Sequence, residues 1–165
     1  MALVTEIGTA SSASESLCDV ATALAYHADR GNAAWAVLTT AQQEQALRRA
    51  TDYMERVYKA QWQGLRVNNT QALDWPRVGV TANGYYVLST IVPIPVQRAC
   101  AELAIRASTG DLLSDKNQQK IKTKVGDIEV EYDKNSPQAT QYSAVDALLS
   151  PYLSTNSGIA HRIVR

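Results

Sequence analysis

At 165 residues with 45% hydrophobic content, the chain is long enough for one domain with its own core and short for two. Lys and Arg (16) balance Asp and Glu (16), so no chain-wide field draws nucleic acid or an anionic membrane, and DNA binding would need a local basic patch. The two cysteines, Cys18 and Cys100, have no metal-type spacing and are too few for a disulfide scaffold, so they read as buried free thiols.

The stretch Met1 to Ser16 lacks a basic segment followed by an apolar run, so it reads as neither signal peptide nor anchor. No segment reaches the ~20 apolar residues of a membrane span. The expected setting is the cytoplasm, or a particle assembled there, with no membrane partner. Residues 1–15, with the small polar run GTASSASES, read as a flexible N-terminal arm. A first helix is expected over Asp19 to Arg30, with Asp19 near its N-cap and Val20, Ala23, Leu24 and His27 at helical spacing; Gly31-Asn32 stops it. The strongest helical signal runs from Thr40 to Lys59, where Leu47, Ala50, Met54, Val57 and Tyr58 form a stripe and Thr40 with Gln43 fit a capping box. On its other face Glu44 and Arg48, Asp52 and Arg56, and Glu55 and Lys59 stand four apart, acid first.

Gln61 to Pro93 is rich in turn formers (Gly64, Asn68-Asn69, Trp75-Pro76, Gly79, Asn83-Gly84) and reads as a long ordered loop of functional weight. Pro95 opens a third helix with Val96, Ala99, Cys100, Leu103 and Ala107 inward. KIKTKVGDIEVEY then alternates with period two. A turn at Gly126-Asp127 would oppose Val125 to Ile128, Thr123 to Val130 and Ile121 to Tyr132, with Lys124 opposite Glu129 and Lys122 opposite Glu131. A last short helix is expected over Ser143 to Leu153, followed by a polar hinge and an apolar, basic tip. The fold class is therefore mainly α: a small helical bundle with a β-hairpin, a long loop and extended N- and C-terminal arms. It divides into an arm (1–15), a helical domain (16–154) and a tail (155–165).

Catalytic chemistry finds no foothold in this pattern. His27 and His161 are the two histidines, and neither stands in a motif joining nucleophile, base and orienting acid. No metal-ligand spacing is present, and GVTANG (Gly79 to Gly84) lacks the lysine and length of a phosphate-binding loop and reads as a turn. Glu129 and Glu131 beside lysines read as a solvated ribbon. No enzyme and no cofactor are expected.

Five segments narrow the reading: AYHADRGNAAW (Ala25 to Trp35), ALRRATDYMERVY (Ala46 to Tyr58), QALDWPRVGV (Gln71 to Val80), VPIPVQRACAELAIRA (Val92 to Ala107) and VGDIEVEY (Val125 to Tyr132). In that order they resemble the head-to-tail connector or adaptor proteins of tailed bacteriophages, a family also labelled DnaT-like single-stranded DNA-binding proteins. The resemblance implies a helical subunit that assembles as a ring, commonly of twelve, beneath the portal protein at the capsid-tail neck of the virion. Such a ring extends the channel for genomic double-stranded DNA and docks a tail, stopper or tail-completion protein. It also implies that the C-terminal segment reaches into the portal.

Within that segment Ile159, His161, Ile163 and Arg165 fall on one side of an extended chain, with Arg162 and Val164 on the other, a pattern suited to a groove or a sheet edge. Pro76 biases Trp75 towards extended backbone, so Trp75, Pro76 and Arg77 can pin the long loop, either to the chain's own core or to a neighbouring subunit. The alternative function, single-stranded DNA binding, would need a basic groove with interleaved aromatics. Tyr53, Arg56, Tyr58, Lys59, Trp62 and Arg66 could supply it, although Tyr58 and Trp62 fit a buried stripe equally well.

Overall fold

The longest apolar stripe of the sequence forms the central helix. In the computed structural model, which describes residues 2–113, 122–125, 128–131 and 140–154, helices predominate and are joined by small antiparallel ladders. Helix α3, Thr40–Val57, buries Ala46, Leu47, Ala50, Tyr53 and Met54 along one face, and Glu44 pairs with Arg48 on the outer side at 3.8 Å. Its capping box lies one residue earlier than expected. The Thr39 hydroxyl accepts from the Gln42 amide at 3.3 Å, and the Gln42 side chain accepts the Thr39 N–H at 2.9 Å. Gln43 cannot serve there because it is buried, donating to the Trp35 carbonyl at 3.0 Å.

Helix α1, Val20–Ala28, is capped by Asp19, which accepts from the Thr22 amide at 2.6 Å. A short α2, Ala33–Ala36, was not legible in the sequence: Asn32 caps it, and the fully buried Trp35 holds it 5.2 Å from the His27 ring. Helix α4, Ile94–Ala107, runs back along α3, with the Ala107 carbonyl accepting from Arg49 at 2.6 Å. Its inner face of Ala99, Cys100, Ala101, Leu103, Ala104 and Ala107 is fully buried, and these mostly small side chains allow close packing on α3. Helix α5, Ser143–Leu149, gives way to a 3-10 turn, Ser150–Tyr152, at Pro151.

Three two-stranded antiparallel ladders are present among the described residues. Strand β1 (Leu65–Arg66) pairs with β2 (Arg77–Val78), β3 (Thr81–Ala82) with β4 (Tyr85–Tyr86), and β5 (Lys122–Val125) with β6 (Ile128–Glu131). The last has the register read from the alternation, Val125 opposite Ile128 and Lys122 opposite Glu131; the expected Ile121–Tyr132 pair lies outside the described residues. Residues 155–165, and with them Ile159, His161, Arg162, Ile163, Val164 and Arg165, also lie outside them.

The N-terminal segment is not the flexible arm that its composition suggested. Glu6 is 2% exposed and gathers the amides of Gly8, Thr9, Ala10 and Ser11 and the hydroxyl of Ser14 at 2.6–3.1 Å. Burial alone would raise the Glu6 pKa, but these hydrogen bonds outweigh it and hold the carboxyl below its usual range. The coil is also tied outward, Ser11 accepting from the Ala72 amide at 2.9 Å and Ala10 from the Asn68 side chain at 3.2 Å. Gly8 passes so close to the Thr90 carbonyl that a Cβ there would collide with it. Small polar residues suit this coil as well as they suit a linker, because their amides and hydroxyls are the donors.

Candidate functional site

The segment 61–93 proves to be a braced frame carrying β1 to β4. Trp75 is fully buried and meets Trp62 and Tyr152 edge-on, with ring centroids 5.5 and 5.9 Å away. The Trp75–Pro76 peptide is cis and Pro76 is buried. Arg77, 7% exposed, donates to the carbonyls of Gln63 at 2.7 Å, Gly64 at 2.8 Å and Asp74 at 3.1 Å. The structure thus brings Trp75, Pro76 and Arg77 together against the chain's own core. Gly64, at φ +65°, sits where a Cβ would strike the Val78 carbonyl, which allows β1 and β2 to close over this knot.

From that frame a tight hairpin projects. Asn83 and Gly84 take φ values of 53° and 85°, the left-handed pair that matches strand twist in a two-residue turn. Tyr85 and Tyr86 follow at 79% and 87% exposure. Neighbours in a strand point to opposite faces, so β4 is bare on both, while Ala82, opposite Tyr85 in β3, is buried and seats the hairpin on the core. Leu65, Leu88 and Ile94 are exposed as well, at 72%, 65% and 61%.

Charge is scarce in this segment. Between Leu65 and Ile94 the charged residues are Arg66, Asp74 and Arg77, of which Asp74 and Arg77 are buried. An open groove of about 670 Å³ lies beside the frame, lined by Lys59, Arg66, Asp74 and Arg77 with apolar walls of Leu65 and Val67. The six-residue aromatic and basic set read from the sequence is not assembled into a stacking surface. Tyr53, Tyr58 and Trp62 are 6%, 3% and 5% exposed, and the Tyr58 hydroxyl donates to Asp146 at 2.5 Å.

A protein-family model described as "Putative DnaT-like ssDNA binding protein" matches residues 1–165. The chain belongs to this family. No curated protein and no solved structure matches it. In this DnaT-like chain no helix among the described residues is long and apolar enough to cross a membrane, and among them no three His, Cys, Asp or Glu side chains gather to hold a metal ion.

His27 is spent on packing. Its Nε2 faces the Ala101 carbonyl at 3.1 Å and so carries the proton, leaving Nδ1 to accept from the Asn32 side-chain Nδ2 at 3.3 Å. Burial lowers its pKa below 6.5, partly offset by the Ala101 bond. Because the unfolded chain takes this proton more readily, the His27 contribution to stability is full above that value and falls as pH drops below it. NMR titration of the ring should give a midpoint below 6.5; a midpoint at or above it would contradict the buried neutral form.

The exposed Tyr85 and Tyr86 of this DnaT-like protein were not among the residues singled out from the sequence. The available signal was Asn83-Gly84 between two short β-prone pairs, a two-residue hairpin pattern. Reading GVTANG only as a turn hid what the turn displays.

Proposed function

We propose that the chain is a non-enzymatic docking subunit: a head-to-tail adaptor of a tailed phage that forms a ring beneath the portal, extends the DNA channel and receives the tail or stopper protein. The observation that carries this reading is the strand Tyr85–Tyr86, exposed on both of its faces, at the edge of a frame braced by Trp75 and Arg77. Tyrosine combines a large apolar face with a hydroxyl and few rotatable bonds, which suits the centre of a protein interface. The ring, its portal and tail neighbours and its place in the virion rest on the sequence resemblance. So does the assignment of Ile159 to Arg165 to the portal.

The family description supports a second reading, single-stranded DNA binding. It is favoured by the same two tyrosines, which could stack bases, and by Lys59 and Arg66 in the groove beside β1 and β2. Backbone-tracking grooves need several free cations, and this segment offers few. Fluorescence anisotropy with a short oligonucleotide separates the readings. The adaptor reading expects no nanomolar binding at about 150 mM salt; tight binding that survives it would favour the second.

The variant with Tyr85→Ser and Tyr86→Ser tests the docking role. Both side chains are exposed, so unfolding should shift by no more than about 0.5 kcal/mol per site. Attachment to portal-bearing capsids should weaken at least about thirtyfold, the effect of losing one interface anchor worth ~2 kcal/mol. Undiminished attachment would remove the hairpin from the interface.

A further inference from the structure

One fastening between the frame and α3 is made by two acids. Glu55, half-buried near the end of α3, accepts the Asp74 N–H with both carboxylate oxygens, at 2.9 and 3.0 Å. The sequence suggested that Glu55 would serve Lys59 on the helix surface; the frame turns it to the loop. Asp74 is 2% exposed, its side chain lies beside Glu55, and its Oδ2 is buried with no hydrogen-bond partner among the described residues. Two ionised carboxylates in this setting repel, and a carboxylate oxygen out of water without a donor is costly. A single proton held between them removes the repulsion and supplies the missing donor.

We propose that Glu55 and Asp74 form a proton-dependent latch that closes the 61–93 frame onto α3 while one proton is shared and loosens it when that proton is lost. The charged groups facing the pair are Lys59 from α3, Arg66 from β1 and Arg77 from β2. Arg77 is committed to three carbonyls, one of them that of Asp74, and Arg66 donates to the Gln71 carbonyl. These cations favour one carboxylate and leave the second to be met by the proton. Burial, with the Asp74 charge adding to it, pushes Glu55 up to about 7 despite the Asp74 amide and the nearby cations, and burial raises Asp74 as well. With the folded value above the ordinary 4.5 of Glu, the latch is fully engaged below that ordinary value and is lost as pH rises through about 7. The latch does not depend on whether the hairpin docks protein or DNA.

Carboxyl-carbon NMR of the full chain, with the Trp75 indole signal followed over the same range of about pH 5 to 9, tests the proposal. Glu55 should titrate near 7, and the indole signal, one residue from Asp74, should move with the same midpoint. Glu55→Gln keeps an acceptor for the Asp74 amide and offers a permanent donor, so its indole signal should hold the low-pH position throughout. Glu55 titrating in the ordinary carboxylate range in the wild-type protein overturns the latch without need of any variant. So does an indole transition that persists in Glu55→Gln.

Discussion

Trp75→Ala is expected to cost about 3–5 kcal/mol of folding stability, the range for emptying the site of a buried aromatic. The indole is fully buried and joins three parts of the chain, packing on Trp62 just after α3 and on Tyr152 in the 3-10 turn after α5. A total stability of roughly 5–15 kcal/mol leaves little margin after such a loss. The indole N–H is itself buried without a partner among the described residues. Trp75→Phe therefore keeps much of the ring packing and removes an orphan donor, and its cost should stay below about 2 kcal/mol. Denaturant unfolding of the two variants measures the difference. Equal losses would show that the N–H makes a bond that matters more than the packing.

Arg77→Ala is expected to cost about 3 kcal/mol, because charge-assisted hydrogen bonds to three carbonyls are lost together. The sum is discounted because burial disfavours the guanidinium, lowering its pKa, so deleting it relieves part of that penalty. Arg77→Lys should recover less than about 1 kcal/mol of the loss, since one ammonium cannot reproduce a planar fork reaching Gln63, Gly64 and Asp74. The same unfolding experiment reads both variants, and full rescue by lysine would mean that the charge and not the fork holds the frame.

Why some elements were legible and others were not follows from where their determinants lie. The α3 stripe, the α4 inner face and the β5–β6 register are written in local periodicity, and their residue identities recur every three to four or every two positions. The Thr39–Gln42 cap was misplaced by one because the choice between Gln42 and Gln43 is made by Trp35, which buries Gln43 from outside the helix. The N-terminal coil was misread because its organiser is one residue, Glu6, and its donors have the composition of a linker. At the candidate site, the Trp75-Pro76-Arg77 motif announced itself through proline geometry and ring size. The Glu55–Asp74 contact joins residues 19 apart with no spacing rule to suggest it. Tyr53, Tyr58 and Trp62 offered both an aromatic groove and a core stripe, and only packing, with Tyr58 turned to Asp146, separates the two.

Electron microscopy of the purified protein mixed with portal-bearing capsids distinguishes a docking subunit at the portal from a DNA-binding protein. A docking subunit gives a ring of density on the portal vertex, with the Tyr85–Tyr86 hairpin of each copy buried against protein. Portal vertices that stay bare, while the same preparation coats single-stranded DNA, would contradict the docking role.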